Sequence, residues 1–209
     1  MEVRYQDVIG PLRAAYDARA GWRDGLDKEP WKVTERAAFL DRLRAGGCGR
    51  LLEIGAGTGQ DSAFFQGQGL DVVAIDVSPA MVAYCRAKGL EAHARDFLSL
   101  VFPAGSFDAV YAMNCLLHVP NRDLPAVLDA VAAVLRPGGL CFVGVWAGPA
   151  PGEGPLDGDA HDPPRFFAWR GDEELQAFAR RRFEVADFHV VPVDGKRFQS
   201  LTLRARSTS

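Results

Sequence analysis

The residues best suited to chemistry lie between positions 51 and 76. Leu51-Leu52-Glu53-Ile54-Gly55-Ala56-Gly57-Thr58-Gly59 runs a short apolar stretch into three alternating glycines. Glycines are needed where a backbone turns sharply and a ligand comes close to it, because a Cβ blocks both. Asp76 ends the next apolar run, DVVAID, about 20 residues past the glycines. An acidic side chain there can accept two hydrogen bonds from ribose hydroxyls. A glycine turn alone serves any tight strand-to-helix corner, and a strand-ending Asp is common in α/β proteins. Together they describe an adenosine site. The dinucleotide fingerprint G-x-G-x-x-G is not met, because its third glycine falls on Gln60. No G-K-[ST] follows the glycines, which excludes a P-loop.

Such a site needs a scaffold, and the surrounding pattern supplies one. RLLEI (50–54), DVVAID (71–76), a short segment at 90–94, FDAVYAM (107–113) and LCFVGVW (140–146) read as buried strands. Helices are expected between them: 58–67, then SPAMVAYCRAKG with Ser78 as N-cap, Pro79 at N1 and Gly89 at its end, then 123–135 closed by Pro137-Gly138-Gly139. This alternation predicts a parallel sheet with helices on both faces. Residues 1–46 read as an N-terminal helical cap, with WKVTERAAFLDRLRA (31–45) at helical spacing. Residues 47–146 are the core, and 147–171 form a lid loop dense in Gly, Pro and Asp over 147–164. The remainder, 172–209, reads as a helix at 172–180 and a hairpin of FEVADFHVV and FQSLTLRA about Asp194-Gly195.

With the core laid out, the chain resembles the class I S-adenosylmethionine-dependent methyltransferases, of the kind that act on small molecules. LLEIGAGTG looks like their first motif, AIDVSPAMV the second, ARDF the third, FDAVYAMNCLLHVP the fourth, and LRPGGL the turn before strand five. The resemblance covers roughly residues 45 to 146 and implies a Rossmann-like seven-stranded sheet, order 3-2-1-4-5-7-6, with strand 7 antiparallel. It implies S-adenosylmethionine as cofactor, held by Glu53, Gly55, Ala56, Gly57, Thr58 and Gly59, with Asp76 on the ribose and Val77 or Met81 beside adenine. Asp96 is expected at the adenine amine, Phe97 beside the ring, and Asn114 and Cys115 near the methionine end. Lys32 and Arg36 are candidates for the cofactor's carboxylate.

Methyl transfer needs a nucleophile, the methyl and the leaving sulfur in line, so positioning carries most of the catalysis. A base is required only where the acceptor must lose a proton early. His118, just past the fourth strand at the carboxyl edge of the sheet, is the candidate base; a helix-capping role explains it equally. The acceptor pocket is expected from Tyr16, Trp31, Trp146, Arg165, Phe166 and Trp169, aromatics suited to an apolar or aromatic acceptor. His161 lies in the lid, His93 reads as structural, and His189 is given no role.

Other readings were weighed. A nicotinamide-dependent reductase shares the fold, and Tyr84-x-x-x-Lys88 has the Tyr/Lys spacing of short-chain dehydrogenases, but on the wrong helix. A base-modifying nucleic-acid methyltransferase carries an Asn or Asp, two prolines and an aromatic after strand four, where this chain reads Met113-Asn114-Cys115-Leu116. A non-catalytic module binding the cofactor or its product is the alternative from another class. The net charge of -3 argues against a dedicated nucleic-acid binder. Four scattered cysteines make no disulfide framework or zinc site, and no metal is expected. With no signal-peptide pattern and no membrane-length apolar run, a cytoplasmic protein is expected, and the Arg-, Ala- and Gly-rich composition hints at a GC-rich bacterial genome.

Overall fold

The computed structural model describes residues 3–148 and 150–206. The parts of the N-terminal, lid and C-terminal segments at 1, 2, 149 and 207–209 lie outside them.

A seven-stranded sheet forms the centre. Its strands are β1 (Arg50–Ile54), β2 (Asp71–Asp76), β3 (Glu91–Ala94), β4 (Phe107–Met113), β5 (Leu135–Ala147), β8 (Phe183–Val193) and β9 (Lys196–Ala205). Their order is β3-β2-β1-β4-β5-β9-β8, parallel through β5, with β9 antiparallel to both neighbours. This is the expected order, with β8 and β9 as its sixth and seventh strands. Adjacent residues point to opposite faces of a strand. Leu52, Val73 and Val110 therefore join one core, shared with α6 (Leu124–Val134) and α7 (Asp172–Arg180). Leu51, Val72 and Ala109 join the other, under α3 (Pro30–Ala45) and α4 (Gln60–Gly67). Because both faces are covered, the strands are apolar throughout rather than alternating.

Three boundaries differ from the sequence reading, each for a local reason. Strand β5 begins at Leu135 because Leu135 already pairs with Phe107, and Pro137-Gly138-Gly139 is absorbed as an irregularity before Leu140 pairs with Ala109. Hairpin strands β8 and β9 extend to the two-residue turn, where Asp194 and Gly195 both have positive φ (47° and 75°), as a type I′ turn requires. The lid is not a plain loop. It contains β6 (Gly152–Pro155) paired antiparallel with β7 (Phe166–Trp169).

The cap is α1 (Tyr5–Asp17), α2 (Ala20–Asp24) and α3. Asp17, at the end of α1, accepts hydrogen bonds from the Ser78 hydroxyl (2.5 Å) and the Ala80 N–H (3.1 Å) at the start of α5 (Pro79–Ala87). Ser78 also caps α5 directly through the Met81 N–H (3.1 Å). Glu35 of α3 is buried against the sheet edge, bonded to Ser200 at 2.6 Å. No helix of the described residues is long and apolar enough to cross a membrane.

A carboxylate at a helix N-terminus satisfies orphan N–H groups and meets the positive end of the dipole. Asp17→Ala is expected to cost about 1–2 kcal/mol and to lower Tm by roughly 4 °C in a thermal melt, while circular dichroism of the core is kept.

Candidate active site

The strand ends at the carboxyl edge of β1, β2 and β4 open onto one connected cleft with three volumes. The first, with about 540 Å³ of empty space, lies over Gly55, Gly57 and Asp76, between Val77, Met81 and Phe97. The second, about 730 Å³, continues past Glu53, Ala56 and Thr58. The third, about 1620 Å³, lies between α1, the turn after β4 and the lid. Asn114 lines all three. It has positive φ (56°), and its buried Oδ1 has no hydrogen-bond partner among the described residues. An Asn tolerates that backbone better than most residues, and an unpaired buried carbonyl is costly unless something binds it.

Asp76 organises the first volume. It accepts hydrogen bonds from the Gly57 N–H (2.8 Å) and the Ser78 N–H (2.9 Å). Burial raises its carboxyl above the ordinary range, and those two N–H groups oppose the rise. The glycines divide the work. Gly55 has φ +66°, and a Cβ there meets Cys115 Cβ at 2.4 Å. Gly59 is not part of the cleft wall; a Cβ there meets Leu90 at 2.7 Å and Cys85 at 2.9 Å, so its role is packing α4 against α5. Gly57 has φ +56° and nothing within 4 Å of an added Cβ, which leaves its surface open to a ligand.

Glu53 is buried in the second volume and accepts a hydrogen bond from the Ser62 hydroxyl. Burial, with the neighbouring Asp61 charge, pushes its carboxyl up to about 8. Opposite it, Asp61 is paired with Lys28 (2.7 Å) and Arg36 (2.9 Å). Arg36 is thus committed within the wall. Lys32 reaches the cleft while paired with Glu29 at 2.5 Å. Arg23, which the sequence reading missed, lines all three volumes and stacks over the Tyr16 ring at 5.2 Å.

The third volume is built on His118. Its Nδ1 lies 2.7 Å from the Phe166 carbonyl, which can only accept, so Nδ1 carries the proton and Nε2 accepts from the Tyr16 hydroxyl at 2.7 Å. Burial drives His118 down to about 3, so the imidazole is neutral. Its Nε2 is covered, and the group that faces both the first and third volumes beside it is the Tyr16 phenol. Burial raises Tyr16 against the opposing charge of Arg165. Arg165 donates to Tyr16 (3.3 Å) and grips Asp159 through Nε and Nη2, both at 2.9 Å. His161 bonds the same Asp159 at 3.0 Å and does not line the cleft. Arg170 fixes the turn after β4 by donating to the Leu116 carbonyl (3.2 Å), the Val119 carbonyl (2.5 Å) and Asn121 (2.7 Å).

Several expected side chains sit elsewhere. Phe166 packs away from the cleft on Val8 and Leu12, and its neighbour Phe167 takes the cleft position, since β7 alternates faces. Trp31 stands behind the wall, 5.2 Å from Trp146 and 4.5 Å from Phe198. Asp96 is not in the lining; it bonds the Leu98 N–H at 2.8 Å and holds its own turn. Trp146, Arg165 and Trp169 do line the third volume, and Cys115 the first. Tyr84 and Lys88 are not a reductase pair: Lys88 binds Asp24 and the Thr58 carbonyl (2.9 Å), bracing the glycine loop.

Comparison with known proteins agrees with this geometry. Residues 51–139 match the model of the methyltransferase domain family. A ubiquinone biosynthesis O-methyltransferase of Xylella fastidiosa is 39% identical over 102 residues, which span 45% of this chain and 40% of that protein. The chain therefore matches less than half the length of that relative. In structure, the chain is similar to a Burkholderia thailandensis 1,6-didemethyltoxoflavin-N1-methyltransferase with bound 1,6-didemethyltoxoflavin and S-adenosylhomocysteine: TM-score 0.77, 23% identity, covering 99% of this chain and 92% of that one. It is also similar to the DhpI–S-adenosylhomocysteine complex: TM-score 0.69, 26% identity, covering 96% and 98%. Residues 51–139 therefore carry a methyltransferase domain, on a fold shared with solved S-adenosylmethionine-dependent methyltransferases.

The His118 environment predicts a pH effect. An unfolded imidazole titrates near 6.5 and the folded one near 3, so between those values the unfolded chain binds more protons and stability is lost as the pH is lowered. From pH 7 to pH 5 this amounts to about 2 kcal/mol. His118→Gln is expected to remove that part of the decline in urea unfolding. Equal declines in both proteins would refute the assignment.

Proposed function

We propose that this chain binds S-adenosylmethionine over the glycine loop and transfers its methyl group to a small acceptor held in the third volume. The observation that carries the reading is Asp76: a buried carboxylate pinned by two backbone N–H groups beside Gly57, whose open surface lets a ligand lie against the backbone. Three other features suit the same cofactor. Val77, Met81 and Phe97 make an apolar slot for a purine. The second volume mixes carboxylates with Arg23 and Lys32, as a zwitterionic amino acid end requires. Asn114 offers an unpaired carbonyl where the three volumes meet.

When bound, the cofactor supplies a methyl already made electrophilic by its sulfonium. The protein's part is to hold, align and exclude water. Asp76 would take the ribose hydroxyls, and Arg23 with Lys32 the carboxylate. Tyr16 is the group that touches the acceptor, and His118 is its positioning residue, aiming the phenol and accepting its hydrogen bond. An acceptor hydroxyl bonded to Tyr16 would have its proton drawn toward the His118 Nε2 through the phenol. Burial of the imidazole limits how far that transfer goes in the empty cleft.

Calorimetric titration with S-adenosylhomocysteine tests the cofactor reading. Micromolar binding is expected, weakened on the order of 100-fold by Asp76→Ala, which removes charge-assisted hydrogen bonds. NADH and NADPH should give no heat. An unchanged affinity in Asp76→Ala sinks the reading.

Glu53 adds a second test. A carboxyl that is neutral at pH 7 must ionise to meet an ammonium group. Binding is expected to release close to one proton at pH 7, seen as a dependence of the heat on buffer ionisation enthalpy, and Glu53→Gln should abolish it.

A further inference from the structure

The cleft changes character along its length. Beside the glycine loop, carboxylates and cations mix: Asp27, Glu29, Glu53 and Asp61 with Arg23, Lys28 and Lys32. The third volume has no carboxylate in its lining and five cations, Arg23, Lys32, Arg165, Lys196 and Arg197. Three of these, Arg165, Lys196 and Arg197, line the third volume only. They are therefore available to whatever occupies it, and not to the cofactor's amino acid end. Arg165 and Arg197 have carboxylate partners outside the lining, Asp159 at 2.9 Å and Asp172 at 2.5 Å. Lys196 forms no ion pair among the described residues and is exposed at the first position of β9.

Aromatic rings make up much of the remaining wall. Phe167 and Trp169 stack on one another at 4.8 Å with planes 14° apart, and Tyr16 and Trp146 complete it. Lys32 is likewise paired with Glu29, so Arg23 and Lys196 are the lining cations without an ion pair among the described residues, and they bias the cavity toward a positive potential. That bias favours an anionic occupant over a neutral one and disfavours a cationic one.

We infer that the acceptor is a planar aromatic anion, its ring against the Phe167–Trp169 wall and its acidic group toward Lys196. The inference rests on reading the neighbouring volumes as the cofactor site. Such an anion also offsets the positive charge that the proposed cofactor brings to the cleft, and brings an electron-rich ring system to the side where Tyr16 stands.

The test uses three probes that share one ring system and differ in charge: 2-naphthoate, 2-naphthamide and 2-naphthylmethylammonium. Each is titrated into the free protein and into protein saturated with S-adenosylhomocysteine. On the saturated protein, 2-naphthoate is expected to bind about tenfold tighter than the amide, and the ammonium weakest. Lys196→Gln should lower naphthoate affinity about tenfold, and Lys196→Glu further, with amide affinity unchanged. Unchanged S-adenosylhomocysteine affinity in both variants shows that the fold is kept. Amide or ammonium binding as tight as naphthoate, no naphthoate binding, or no effect of either Lys196 variant overturns the inference. Failure of the S-adenosylhomocysteine titration itself overturns the cofactor reading instead, and the three probes on the free protein then still decide the charge preference of the cavity.

Discussion

The Asp76 carboxylate is the interaction on which the rest of the site depends. It stands at the end of a central strand, where water is largely excluded; burial raises its carboxyl, and Gly57 and Ser78 oppose that rise by donating to it. Those two bonds fix both sides of the cleft at once. One sets the glycine loop at the distance that keeps Gly57 open. The other sets Ser78 as the N-cap of α5, and through Ser78 the network reaches Asp17 and the end of α1. A single buried carboxyl thus couples the core sheet, the glycine loop and the cap. An uncharged isostere in its place would keep the shape and lose the electrostatic pull on both N–H groups, each of which would then be a poorly satisfied donor in a low-dielectric setting.

A buried charge does the same for the lid side of the cleft. Burial lowers Arg170 to about 10 against the opposing charges of Glu174 and Glu153, and two backbone carbonyls and Asn121 take its donors. The turn it clamps carries His118. His118 in turn joins the lid backbone at Phe166 to the cap at Tyr16. The lid is also held by the Glu153 carboxylate on the Asn121 N–H (2.8 Å) and by Arg19 on the Ala160 carbonyl (2.6 Å). Lid and cap are therefore closed over the cleft by polar bonds around a thin apolar seam of Val8, Leu12, Phe166 and Ala168. Polar closure of this kind is specific in geometry and modest in net free energy, since each bond replaces one to water. That combination suits a cover that must admit and release small molecules.

What was legible in the sequence follows from how local each signal is. The glycine loop, Asp76, the Ser78 cap and the strand-helix alternation each depend on a few consecutive residues, and the structure has them at the expected positions. The strand order was legible only through family resemblance, because no local pattern says which strands pair. The facing of side chains in the lid was not legible. Choosing Phe167 over Phe166 requires the register of β7 against β6, and a segment dense in Gly and Pro gives no period to count. Arg23, Asp17 and Arg170 act across separations that sequence spacing does not encode. Gly59 had a readable signal in its position but an ambiguous one: an alternating third glycine fits a ligand contact or a tight helix approach, and only the Cys85 and Leu90 distances decide for packing.

The charge distribution along the cleft closes the argument about division of labour. Near the glycine loop, Glu53 is kept close to neutral by burial and by Asp61, while Asp61 itself is held by two cations. That end is poised to balance a group carrying both signs. Toward the lid, Asp159 is turned into the wall. Burial raises its carboxyl, but the hydrogen bonds from Arg165 outweigh this and keep it ionised. Its charge orients Arg165 toward Tyr16 and offsets part of that guanidinium's charge, which leaves Arg23 and Lys196 as the lining cations without an ion pair among the described residues. Both ends use buried carboxylates, and their different exposure to the cleft is what separates a surface of mixed charge from one lined by cations alone on the same sheet edge.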